Sequence, residues 1–263
     1  MITNEINQRL QHKKILLMSH LVLGYPDIET NLQTIDLMAE HGVDLIELQI
    51  PFSEPTADGP TIAHANHEAL AGGFTIESAF AVAAQAKQKH PHLQLIFMTY
   101  FNIPYAYGLE AFLQRSSDSG IVATIVPDLS PETNQLYQHL YTKHNVTPIY
   151  IATPNSSPKR LKQINQHANG FIYGVARTGV TGSKTHTTQE LEQTINRYRE
   201  AFSLPLAIGF GIQSQDDIRY LTGKTDIAII GSQFIKIWQK EGTDGIASFL
   251  QSLQLEHENP EKT

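Results

Sequence analysis

The chain has 263 residues, 41% of them hydrophobic, which is enough to bury one large core. Its 19 Lys and Arg stand against 26 Asp and Glu, a formal charge of -7, and that balance argues against nucleic acid as a partner because a phosphate backbone is held by excess cations. Cysteine is absent, so disulfides, thiolate nucleophiles and thiolate metal sites are excluded.

The opening stretch, MITNEINQRLQHKK, is polar, lacks the apolar core of a secretory signal, and reads as a short helix with Ile6 and Leu10 on one face. Residues 15–23 (ILLMSHLVL) predict a first strand; they are also the longest apolar run, too short to span a bilayer, so a cytoplasmic protein with no membrane contact is expected. Gly24-Tyr25-Pro26 ends that strand, and Asp27 is placed to cap a helix whose Ile28, Leu32, Ile35 and Met38 recur at helical spacing up to Gly42. Residues 44–50 (DLIELQI) predict a buried second strand, and 51–60 (PFSEPTADGP) a loop stiffened by three prolines. Residues 61–89 are helical with a break at Gly72-Gly73, 93–100 (LQLIFMTY) form a third strand, 109–119 a helix, and 121–126 a fourth strand. A helix opened by Ser130-Pro131-Glu132 leads to a fifth strand at 146–151, and Ser157-Pro158 starts another that runs to Asn169-Gly170. The sixth strand is 171–175, followed by a long loop, 177–186 (RTGVTGSKTH), whose glycines and small polar residues suit a lid or plain slack. Then come a helix at 188–201, a strand at 204–208, a helix at 214–221, a strand at 227–230, a helical region at 232–253, and a polar tail from Gln254.

Eight strands, each followed by a helix, point to a single (β/α)8 TIM barrel with a short N-terminal helix, one domain spanning residues 1–263. A doubly wound open sheet competes, and the strand count favours the barrel. In that fold the chemistry sits where strands end, which puts Glu47 and Asp58 on the catalytic side. Burying Glu47 costs several kcal/mol, roughly, unless it is paired, solvated or neutralised by a shifted pKa. Taken singly, Glu47 could face solvent and Asp58-Gly59 could be an ordinary turn. A second signal lies late in the chain, where AIGFGI (207–212) and IIGS (229–232) put glycines at the ends of consecutive strands. One such pair is a turn; two favour a phosphate cradle in which backbone N–H groups approach an anion and Ser232 adds a hydroxyl. Twelve histidines invite a metal reading, and His64, His67 and Glu68 share a helix face, but the spacing lacks a third ligand and solvated surface residues are the expectation.

ELQIPFSEPTADGP (47–60) resembles the signature of the tryptophan synthase alpha chain family, and the likeness extends in order through MTYFN (98–102), IVPDLS (125–130), ARTGVTG (176–182), GFGI (209–212) and Gly231-Ser232. The resemblance implies retro-aldol cleavage of indole-3-glycerol phosphate to indole and glyceraldehyde 3-phosphate, without metal or organic cofactor. It assigns Glu47 as the acid and base on the ring carbon and glyceryl hydroxyl, and Asp58 as the holder of the indole N–H. Phosphate would rest on Gly182, Gly211, Gly231 and Ser232 beside Phe210. Tyr100 and Tyr173 would line the indole pocket, and Thr181 would bond the loop aspartate on closure. It also implies a tryptophan synthase beta chain as partner in an alpha2-beta2 assembly, contacted through the loop at 51–60.

Four positions depart from the commonest pattern: Gln49 for glycine, Glu54 for aspartate, and His20 with Val22 for an aromatic and a threonine. Gln49 follows Glu47 by two and so shares its side of the strand, where it bonds the catalytic carboxylate or narrows the pocket. The competing functions are a stand-alone indole-releasing lyase, a phosphosugar isomerase on the same barrel, and a silent regulatory barrel.

Overall fold

β1 (Leu16–Val22) is buried at every position, because a parallel strand in a closed sheet is covered by helices on one face and by the other strands' side chains on the other. Seven strands follow: β2 (Leu45–Gln49), β3 (Gln94–Met98), β4 (Ile121–Ile125), β5 (Thr147–Ala152), β6 (Ile172–Val175), β7 (Leu206–Gly209) and β8 (Ile227–Ile230). Each pairs in parallel with the next and β8 returns to β1, so the sheet is the closed eight-stranded barrel that the strand count suggested. The structure, a computed structural model, describes residues 2–176, 188–209 and 211–253.

Register decides what faces inward. Met18 pairs with Leu45, His20 with Glu47 and Val22 with Gln49; Glu47 pairs in turn with Ile96 and Gln49 with Met98. Residues of this parity fill the barrel, with Met18, Leu45, Ile96, Ala123, Ala207 and Ile229 in one inner cluster. The alternate residues, among them Leu17, Ile46, Phe97 and Ile208, pack outward against the helices. Side chains two apart on a strand share a face, so Glu47 and Gln49 necessarily enter the lumen together.

The helices among the described residues are α1 (Ile2–Arg9), α2 (Ile28–Glu40), α3 (Pro60–Ala71), α4 (Ile76–Lys89), α5 (Asn102–Tyr107), α6 (Leu109–Asp118), α7 (Pro131–Asn134), α8 (Gln138–Lys143), α9 (Pro158–His167), α10 (Thr188–Ala201), α11 (Gln215–Leu221) and α12 (Gln233–Ser252). Their starts follow the sequence signals. Asp27 accepts from the Thr30 N–H at 2.7 Å, Thr75 from Ser78, and Ser214 with Asp217 closes a capping box.

Three details differ from expectation. The segment after Ser130 is α7, a 3-10 turn at Gln135–Tyr137 and α8 rather than one helix. α5 fills a stretch with no predicted element; at six residues it is too short to show periodicity, and Pro104 sits in its first turn, where the missing N–H costs nothing. The last helical region bends at Gly242, with φ 63°.

α1 closes the lower end of the barrel. Ile2 and Ile6 are buried in the inner cluster, and the Thr3 hydroxyl donates to the Gly170 carbonyl at 3.1 Å. Beyond it, Lys13 and Arg9 reach the buried Asp44 at 2.7 and 3.3 Å, whose second oxygen accepts the Leu17 N–H at 3.1 Å. One carboxylate thus ties the first helix to the floor of β1 and β2.

Candidate active site

At the upper end, β2 stops because Pro51 has no N–H to continue the ladder. The following loop is pinned by side chains. The Phe52 N–H donates to Asn66 Oδ1 at 2.9 Å, the Ala57 N–H donates to the Tyr100 hydroxyl oxygen at 2.9 Å, and the Phe52 ring stacks on Tyr100 with centroids 5.0 Å apart. Gly59 then caps α3, with Pro60 in its first turn. Asp58 is therefore delivered to a fixed place.

Glu47 points into the lumen and is 4% exposed. The Tyr173 hydroxyl on β6 hydrogen-bonds it, while its Oε2 has no partner among the described residues. Burial, reinforced by the negative charge of Asp58 and only partly opposed by Tyr173, pushes the Glu47 carboxyl up to about 8. Asp58 accepts from Gln49 Nε2 at 2.7 Å and from the Tyr100 hydroxyl at 3.2 Å. Burial raises its carboxyl to about 6 despite these two donors. Near neutral pH the pair divides, with Glu47 holding a proton and Asp58 a charge.

The expected site residues distribute as follows. Glu47, Asp58, Tyr100 and Tyr173 converge through the contacts above. Gly211, with φ +90°, follows β7 in a backbone conformation that other residues adopt only with strain. Gly231 follows β8, and a Cβ added there would meet nothing within 4 Å. Ser232 begins α12 without using its side chain as a cap. Gly231 and Ser232 put an N–H and a hydroxyl at the N-terminus of α12, the arrangement that suits a phosphate. Thr181, Gly182, Phe210 and the loop at 177–186 lie outside the described residues.

Residues 6–262 match the sequence model of the tryptophan synthase alpha chain. The chain belongs to the tryptophan synthase alpha chain family. The alpha chain of Desulforapulum autotrophicum is 46% identical over 253 residues, covering 96% of this chain and 100% of that one. Mycobacterium tuberculosis tryptophan synthase superposes with a TM-score of 0.88 at 27% identity over 96% of each chain. The tryptophan synthase complex of Pyrococcus furiosus gives 0.83 at 26% identity, over 90% of this chain and 97% of that one.

Of the four departures from the common pattern of tryptophan synthase alpha chains, Gln49 and His20 lead to one carboxylate. Gln49 is fully buried and bonds Asp58 rather than Glu47, since its amide extends past the end of β2 towards the loop. Its Oε1 lies 2.7 Å from His20 Nε2. Val22 packs on Ile62, Ala65 and Ile235, and Glu54 is exposed on the loop. Sequence reasoning missed Asn66, which braces both Phe52 and Gln49. The signal was available: Asn66 stands four residues after Ile62 on the buried stripe of α3, where an amide needs a reason. His64 and His67 are exposed as read, whereas His90 is half-buried and bonds Asp36 at 2.6 Å.

Proposed function

We propose that this chain cleaves indole-3-glycerol phosphate to indole and glyceraldehyde 3-phosphate, as a cytoplasmic step of tryptophan synthesis. The observation that carries this reading is the pair of carboxyl groups at one mouth of the barrel, Glu47 driven towards its protonated form and Asp58 held by two donors. Glu47 gives its proton to the substituted ring carbon, which makes the ring an iminium cation. The Asp58 carboxylate accepts the ring N–H and offsets that charge. Glu47, now ionised, takes the proton of the hydroxyl on the adjacent glyceryl carbon. The carbon–carbon bond breaks, its electron pair returns to the ring, and an aldehyde and neutral indole remain.

Both proton transfers pass through one side chain, which gives one proton and takes the other, so the scheme calls on no metal or organic cofactor. Positioned proton transfer of this kind contributes roughly a hundred- to ten-thousand-fold in rate. Phosphate anchoring by Gly211, Gly231 and Ser232, together with Gly182 and Phe210, fixes the far end of the substrate. Tyr100 and Tyr173 border the ring, and Thr181 would reach Asp58 on closure.

A tryptophan synthase beta chain as partner is supported by the surface beside the site. Tyr105 and Leu136 are 68% and 70% exposed, and they flank Phe101 and Tyr137 on the same rim as the loop at 51–60. The test is release of glyceraldehyde 3-phosphate from indole-3-glycerol phosphate, measured with the chain alone and with a beta chain added. Cleavage that rises on addition supports both parts, unchanged cleavage supports the stand-alone lyase, and binding without cleavage in either arm overturns the assigned reaction.

A further inference from the structure

The bonds around Gln49 have only one consistent set of donors and acceptors. Asn66 Nδ2 donates to the Ile62 carbonyl at 2.8 Å, so Asn66 Oδ1 is the atom that receives the Phe52 N–H and, at 3.4 Å, Gln49 Nε2. Gln49 Nε2 also faces a carboxylate oxygen of Asp58, which accepts. The carboxamide cannot be turned over without setting its oxygen against two acceptors. Its Oε1 therefore points at His20, and the proton between them belongs to His20 Nε2. The imidazole is 4% exposed, and burial, only partly opposed by the Gln49 bond, presses its pKa down to about 4. It is neutral, and its remaining nitrogen, Nδ1, has no partner among the described residues.

We propose that His20 and Gln49 form a positioning relay for Asp58, in which a neutral Nε2–H imidazole donates to the amide oxygen and the amide donates to the carboxylate, aiming it before substrate arrives. Each donor in the row polarises the next. Where the common family pattern has a residue with no side chain at position 49, this chain aims the same carboxylate from inside the barrel. The relay rests on the reaction proposed above for its purpose, but its bonds exist without it.

Among the described residues, the titratable groups facing Asp58 are Glu47 from β2, Tyr100 from β3 and Tyr173 from β6. All are neutral acids or weaker acids near pH 6, so a change in the Asp58 titration reports the relay. The experiment uses the full chain as wild type and as Gln49→Met, His20→Phe and His20→Gln, the last keeping an N–H at similar reach. Side-chain 13C titration should move the Asp58 midpoint upward by about half a unit or more in Gln49→Met and His20→Phe. It should return towards wild type in His20→Gln. With indole-3-glycerol phosphate, kcat should fall about tenfold in the first two variants while KM stays within about twofold, because the phosphate contacts are untouched.

Nitrogen-15 spectra of the wild type should show His20 as the neutral Nε2–H tautomer at about pH 6, a readout that needs no variant to fold. An imidazolium or Nδ1–H signal overturns the relay, as does an Asp58 midpoint and kcat unmoved by Gln49→Met. A wild type that leaves indole-3-glycerol phosphate intact sinks the assigned reaction, while the titration and the tautomer still decide the relay.

Discussion

Glu47→Gln should abolish turnover and yet make the protein harder to unfold, by a margin that grows with pH. The native carboxyl titrates near 8 and an unfolded one near its ordinary 4.5. Between those values the native state holds a proton that the unfolded state has released, so wild-type stability is fullest below about pH 4.5 and declines as pH rises through 8. The slope is about 1.4 kcal/mol per pH unit for one proton, so going from about pH 5.5 to 7.5 costs the wild type about 3 kcal/mol from this group. Glutamine has the same shape and no proton to lose, so that component vanishes. Function runs the other way: at pH 7 an acid near 8 is ~90% protonated, against ~0.3% for one at its ordinary value, and the variant has no acid at all. Urea unfolding of both proteins across this range measures the gap, with indole release measured on the same samples. A gap that stays constant or narrows with pH would refute the reasoning, as would a variant that still releases indole at the ordinary rate.

Asp58→Asn should keep the fold and lose at least a hundredfold in kcat, because a neutral amide cannot offset a cationic ring; assays at saturating substrate check this. The wild-type rate should fall above about pH 8 as Glu47 loses its proton, and a profile flat to pH 10 would count against Glu47 as the acid. Gly231→Ala should leave the melting temperature unchanged, since its Cβ enters open space, but raise KM for the phosphorylated substrate several-fold by crowding the anion. Asp44→Ala should cost about 2 kcal/mol in chemical denaturation without changing the pH profile, because the Leu17 N–H loses its acceptor and Lys13 and Arg9 lose their shared carboxylate.

The eight strands were legible because each is a short apolar run bounded by Gly, Pro or a cap, and those signals are local; closure into a barrel was favoured only by their count. The two carboxylates stood out for a different reason, since Glu47 interrupts an apolar strand and Asp58 sits on a stretch too rich in proline to be slack; the roles proposed for them came from the family resemblance, not from those positions alone. The tie between His20 and Gln49 was not, since the residues lie 29 apart and meet only because β1 and β2 are in register there. Period-two reasoning put Gln49 in the lumen correctly but could not say which carboxylate its amide would find. The short α5 escaped because its six residues make fewer than two turns, and Gly108 after it marks only an end.

Below Glu47 the lumen is filled by Leu45 and Met18, and Ile2 and Ile6 of α1 join the same cluster and stopper the tube. A vessel corked at one end empties at the other. On the reaction proposed above, an uncharged fragment formed beside Glu47 leaves by the opposite end, which among the described residues carries Phe52, Tyr105 and Leu136, so the first helix sets the direction in which that product travels.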